Sequence, residues 1–517
     1  MRGSITKERV WWDVLHYQIH LQSIDAANKT IAGEVTLKFK VVKENETVMQ
    51  LDLQQPLSID NIRFKTTETE TKLAFSKVGK SAYWVTLPPT KINQRYELII
   101  SYSGSPIEAK NAPWDGGVVW TKDPSNNDFI ASACQGIGAS SWWPCKDHQS
   151  DEPQEGARII LDVPTHLMGV SNGLLVQDTV LGTIHRTVWE VKNPINNYGI
   201  NFNVGNYTYW NDVYKGEKGD LPLSFYVLKN NLKVAQTHFL EVYRMLEAFE
   251  DWLGPYPFYE DGYKLVQVPY LGMEHQSAVS YGNGFTNGYL NSDLSETGWG
   301  MNWDFIIIHE SGHEWFGNSI TSSDIADMWI HEAFTTYTEE IFTEYYWGPT
   351  AGDEYIRGIR HRILNDEPII GKYNVQYSGT SDMYFKGANL LHTIRQIVNN
   401  DAKWKQFFRD FNLVFRHKIT TTEDVEKFMS AYFNIDLTSV FNQYLRTTNV
   451  PSLYLKKKGK YWVYKWNNVV NDFTMPLHVM VDDTLQTIVP TLKQQKLKAK
   501  CIAINNNYYI KVNGRFF

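Results

Sequence analysis

From about residue 10 to residue 205 the chain alternates apolar and polar positions with a period of two. TIAGEVTLKFKVV (Thr30–Val42) and YELIISYSG (Tyr96–Gly104) are clear cases, and turn residues separate such runs at short intervals. This pattern predicts a sandwich of antiparallel strands. Near residue 230 the period lengthens. AQTHFLEVYRMLEAFEDWLG (Ala235–Gly254) places apolar residues at helical spacing, stops on a glycine and is followed by Pro255. Further helices are expected in WDFIIIHESGHEWFGNSI (Trp303–Ile320), MWIHEAFTTYTEEIFTEYYWG (Met328–Gly348) and FKGANLLHTIRQIVNN (Phe385–Asn400). From Pro451 onward short alternating runs return: YWVYKW, PLHVMV and YYIKVN. The reading is a multidomain α+β protein. It has an N-terminal antiparallel β-sandwich domain (1–207), an α/β domain (208–449) and a small C-terminal β-sandwich domain (450–517).

A chain of 517 residues exceeds one comfortable hydrophobic core, which agrees with several domains. The 18 Trp, 30 Tyr and 25 Phe argue for thick cores and against disorder. A net charge of −7 speaks against a nucleic-acid partner. The basic clusters Lys456–Lys460 and Lys493–Lys500 are short and interrupted, and read as solvated strand faces. Three cysteines are too few for a disulfide framework, although one bridge between Cys134 and Cys145 is open. No apolar run approaches the roughly 18 residues of a membrane span. The opening MRGS looks like an expression-vector start. A natural leader removed upstream is one reading of this start, and on it an exported or periplasmic protein is slightly favoured over a cytoplasmic one.

The chemistry begins at HESGH (His309–His313). Helix positions four apart lie about 40° apart around the axis, so His309 and His313 project side by side and can grip one ion. Glu310 points to a neighbouring direction, where it can act as a base without ligating. Two buried histidines bonded to backbone carbonyls are the alternative. Glu332, after 18 intervening residues, lies in the next expected helix, and the loop SSDIAD lets that helix return antiparallel. Two imidazoles and a carboxylate leave an open position, as in a catalytic zinc site, and suit Zn²⁺ better than Mg²⁺ or Ca²⁺. His331 faces about 100° away from Glu332 and is a decoy. The implied reaction is hydrolysis of a carbonyl compound, most simply a peptide bond, with Glu310 as general base.

At these residues the chain resembles the aminopeptidase N and leukotriene hydrolase family of zinc metallopeptidases, the gluzincin aminopeptidases. HESGHEWFGNSIT (His309–Thr321) with Glu332 fits the family's zinc signature, and YLGMEHQSAVSYG (Tyr270–Gly282) resembles its G-x-M-E-N exopeptidase strand. YFKGANLL (Tyr384–Leu391) is similar to the helix that starts with its catalytic tyrosine, and ACQGIGASSWWPCKDHQSDEP (Ala133–Pro153) to the segment that contributes a pocket glutamine. The resemblance implies a thermolysin-like catalytic domain holding one zinc per chain. It also implies that Glu274, helped by Gln135, binds the substrate's free α-amino group. Tyr384 would donate to the oxyanion. Gly272 would let a ligand approach closely, beside Met273 at the first subsite. An α-amine with a pKa near 8 is mostly charged, so a carboxylate is the expected reader. The alternation in SAVSYG is expected to form an edge strand on which a peptide substrate pairs.

The chain departs from that pattern. Leu271 and His275 stand at the first and last positions of G-x-M-E-N, and His331 and Ala333 flank Glu332 in place of Asn and Gly. The two histidines are expected to lie near the pocket and alter its pH response or narrow its first subsite. No large C-terminal helical domain follows, so the cleft is expected to be more open to long peptides. Peptides with a free amino terminus are the expected partners. Endopeptidase action, epoxide hydrolysis and a silent binding role on the same fold are the alternatives. Oligomeric state is not set by these patterns.

Overall fold

The computed structural model describes residues 3–44, 46–66 and 69–516; Met1 and Arg2 of the MRGS start lie outside them. In the first domain the period of two becomes a sheet with one dry face. Along Thr30–Val41 the side chains of Ile31, Val35, Leu37 and Phe39 face inward, alternating with half-exposed ones. This strand pairs antiparallel with Trp12–Asp25 and with Arg95–Gly104 inside an eight-stranded sheet. One pairing in that sheet is parallel, Tyr17–Leu21 beside Ala157–Leu161. Smaller four- and three-stranded sheets share its apolar core. The loop from Ala133 to Pro153 is tied in from this side: Lys146 Nζ donates to Trp12 O at 2.6 Å, and Asp147 N donates to the buried Asp52, itself paired with Arg9 at 2.5 Å.

The second layer is a five-stranded sheet of β1 (Tyr207–Gly216), β2 (Gly219–Leu228), β3 (Tyr263–Gln267), β4 (Gly272–Met273) and β5 (Val279–Tyr281), in the order β1-β2-β3-β5-β4. The SAVSYG strand expected at the edge, β5, is therefore interior. It pairs parallel with β3 on one side, and β4 folds back antiparallel onto its other side. The free edge passes to Gly272–Met273.

Helices cover this sheet. The stretch expected as one helix over Ala235–Gly254 is two, Leu232–His238 and α1 (Glu241–Leu253). The break falls where Phe239 turns in against Trp210, Phe225 and Tyr281. α2 (Phe305–Gly312) starts on Asp304, whose carboxylate accepts from the amides of Ile306 and Ile307 at 2.9 and 3.2 Å. It was expected to run to Ile320. Instead the chain opens after His313 into a wide turn, Glu314–Asn318, in which Phe316 and Gly317 leave helical dihedrals. α3 (Trp329–Trp347) and α4 (Asp382–Val398) follow. α2 and α3 run antiparallel: Trp303, just before α2, meets Phe342, whereas His313 at its far end meets Thr335.

The last domain pairs a four-stranded with a three-stranded sheet, and its interior is continuous with that of the helical layer. Lys456–Lys460 are exposed. Among the described residues no helix is long and apolar enough to cross a membrane.

Candidate active site

His309 and His313 lie one turn apart at the end of α2, and Glu332 sits in the first turn of α3. One ligand atom from each lies within 4.8 Å of the others. Glu332 Oε2 is 3.3 Å from His313 Nε2 and 3.8 Å from His309 Nε2. Each ring is fixed through its other nitrogen. His309 Nδ1 lies 2.7 Å from Glu339 Oε1, and the second oxygen of Glu339 accepts from the Tyr355 hydroxyl at 2.6 Å. His313 Nδ1 lies 2.9 Å from Phe316 O, which the wide turn brings back onto it. These partners place the ring protons on Nδ1 and turn the Nε2 lone pairs toward the gap. Gly317 makes the turn possible. Its φ of 125° is unfavourable for a side chain, and a Cβ there would stand 3.2 Å from His313 Nδ1.

The gap fits a cation. Glu332 Oε2 is buried and has no hydrogen-bond partner among the described residues. Burial pushes the His309 imidazole down to about 3. Burial also lowers His313, but the carboxylates of Glu332 and Glu274 outweigh it and hold that ring up at about 10. Without an ion, a proton on His313 must offset these carboxylates; a divalent cation would supply that charge. Two imidazole nitrogens and one carboxylate oxygen are donors that suit zinc.

Glu339 was not singled out from the sequence. It follows Glu332 by seven residues, or two helical turns, so both carboxylates share a face. That spacing was the available signal. Glu339→Gln is expected to weaken zinc binding about 10- to 100-fold, because the outer partner orients the ligating ring and raises its basicity. Competition against a chelating dye reads this directly, and an unchanged affinity would remove Glu339 from the site's support.

Every site residue expected from the sequence lines one cleft of about 530 Å³. Glu310 faces it beside the triad. Burial, and after it the charge of Glu274, push its carboxyl well above the usual range, which suits a group that takes and returns a proton. At Gly272 a Cβ would stand 2.9 Å from Glu310 Oε1 and 2.7 Å from Ile306 Cγ2, so glycine lets β4 lie against this carboxylate. Glu274 is buried, and that burial raises its carboxyl to about 7. Gln135 Nε2 donates to Glu274 Oε1 at 2.5 Å and to Glu332 Oε1 at 3.1 Å. Tyr198, which sequence reasoning passed over, lies beside Glu274 and acts to lower its carboxyl against the burial, and its hydroxyl lies 3.5 Å from His331 Nδ1. Tyr384 lies in the first turn of α4, with its ring 6.2 Å from that of His309 and inclined by 28°. Burial and the carboxylates of Glu332 and Glu274 raise its hydroxyl well above the usual range, so it keeps its proton and can donate.

Two expectations fail here. His275 and His331 are buried but do not line the cleft. His331 Nε2 accepts from Ser322 N at 2.8 Å, and His275 Nδ1 lies 2.9 Å from Ser280 Oγ. Burial holds both at about 3, so neither titrates near neutrality or narrows the first subsite. Each is the sequence neighbour of a cleft carboxylate, and adjacent residues point different ways. Cys134 and Cys145 are free thiols, not a bridge. Cys134 Sγ instead lies 3.5 Å from Ser141 Oγ.

Comparison with known proteins assigns the frame that holds this cleft. Residues 14–198 match the peptidase M1 N-terminal domain, and residues 239–444 match the peptidase family M1 domain. The chain belongs to peptidase family M1. M1 relatives include leukotriene A-4 hydrolase of Xenopus laevis, 23% identical over 81% of this chain and 68% of that protein. Leucine aminopeptidase 2 of Kluyveromyces lactis is 23% identical over 81% of this chain and 61% of its own length. Endoplasmic reticulum aminopeptidase 1 of Rattus norvegicus is 21% identical over 80% of this chain, which spans 45% of that protein. The M1 fold is also that of a zinc metallopeptidase mutant from Deinococcus radiodurans solved with a Tyr-Ser-Ala substrate. Its TM-score is 0.70 at 20% identity, covering 85% of this chain and 95% of that one.

Proposed function

We propose that this M1 chain is a zinc aminopeptidase that hydrolyses the first peptide bond of peptides with a free amino terminus. The observation that carries the reading is one cleft holding both the His309–His313–Glu332 triad and the buried Glu274–Gln135 pair. Zinc held by the triad would act as a Lewis acid toward the attacking water and the scissile carbonyl. Glu310 takes the proton of that water and delivers it to the leaving amine. Tyr384 donates to the oxygen on which negative charge develops. Glu274 accepts from the substrate's ammonium, and the carbonyl oxygen of Gln135 offers a second acceptor. The free edge at Gly272–Met273 pairs with the substrate backbone, which tolerates varied side chains.

The buried carboxylate sets the point of cleavage. An internal residue carries no ammonium and would leave Glu274 desolvated and unpaired. Acetylating the amino terminus of a good peptide substrate is expected to slow its cleavage by about 10- to 100-fold. Equal rates for the free and acetylated peptides would favour endopeptidase action and overturn the reading.

A further inference from the structure

We infer that Arg362 reads the terminal carboxylate of the substrate, so that the preferred substrates are short peptides with a free carboxyl end. This rests on the proposed aminopeptidase activity. Among the described residues the cleft is lined by four glutamates, Glu274, Glu310, Glu332 and Glu339, and by a single arginine or lysine, Arg362. A cation so placed would be expected to pair with one of them. Arg362 forms no ion pair among the described residues. Its one hydrogen bond runs from Nε to Leu294 O at 2.9 Å, and its guanidinium lies 6.0 Å from the centre of the Phe385 ring. Those contacts hold the stem. The two terminal nitrogens are left for a ligand, in the fork that matches a carboxylate.

The position fits the direction of the substrate. Glu274, the reader of the amine, clusters with His313 and Glu310. The opposite flank of the triad is apolar: Phe305 stacks on His309 at 5.1 Å, and Tyr289 packs edge-on against Phe305 at 5.3 Å. Tyr289, Phe305, Leu294 and Phe385 line the cleft together with Arg362, which is tied to Leu294 and lies over Phe385. A peptide that enters with its ammonium on Glu274 and crosses the triad therefore runs toward Arg362. The cleft, at about 530 Å³, has the volume of a site for a compact ligand. The substrate's two opposite charges would then meet two opposite charges of the protein. This runs against indifference to peptide length.

The test compares one tripeptide as free acid and as carboxyl-terminal amide, both with a free amino terminus. Wild type is expected to show kcat/KM about 10- to 100-fold higher for the acid, the range of a hydrogen-bonded charge pair. Arg362→Gln is expected to bring the acid-to-amide ratio close to one, and Arg362→Lys to restore part of it. A merely structural arginine would lower both rates and leave the ratio alone. A ratio near one in wild type, or a ratio that survives Arg362→Gln, overturns this inference while leaving the aminopeptidase reading intact. If wild type trims neither peptide, both fall together.

Discussion

Glu310→Gln is expected to lower kcat by about 10²- to 10⁴-fold, the usual contribution of a positioned general base. The amide keeps the shape of the carboxylate against Gly272 and Ile306, and it cannot take a proton. With His309, His313 and Glu332 as the proposed ligands, the variant should still hold one equivalent of zinc. KM should change little, since the amine reader and the free edge are untouched. The decisive measurement pairs turnover with metal content. A fully active variant would dismiss Glu310 as the base, and loss of zinc along with activity would show that it ligates.

Tyr384→Phe should cost about 10²- to 10³-fold in kcat, the range for one oxyanion donor. The ring stays, and with it the packing beside His309 and Phe385. Only the hydroxyl is lost. Burial and the facing carboxylates keep that hydroxyl protonated, so no loss of activity at alkaline pH is expected from its ionisation within the working range. Substrate binding should survive, because the donor acts where charge develops and not on the ground state. A rise in KM at constant kcat would recast Tyr384 as a binding group.

Much of the site was legible because it is local. His309 and His313 are read from a spacing of four, and Glu332 from the helix that follows. What escaped the sequence depends on pairings between distant segments. SAVSYG alternates as an edge strand would, but whether β4 covers it is decided by a turn that periodicity does not register. The wide turn after His313 hides inside an apolar run that reads as continuous helix. The break at Phe239 comes from three aromatic partners far away in the chain. Arg362 is brought to the cleft beside Leu294 and Phe385, and nothing in IRHR marks it. His275 and His331 mislead for the opposite reason: nearness in sequence to cleft carboxylates suggests a nearness in space that the backbone denies.

The apolar interior of the first domain reaches onto the five-stranded sheet through Tyr226, Val266, Tyr270 and Met273, while a second interior joins the helical layer to the last β domain. Gln135 and Tyr198 belong to the first, whereas the metal triad belongs to the second. Glu274 itself stands with the triad in the second and takes its amide partner Gln135 from across the boundary. Loosening the leading domain would strip both Glu274 and Glu332 of the amide of Gln135, blurring where the cut falls and slackening one corner of the grip on the ion.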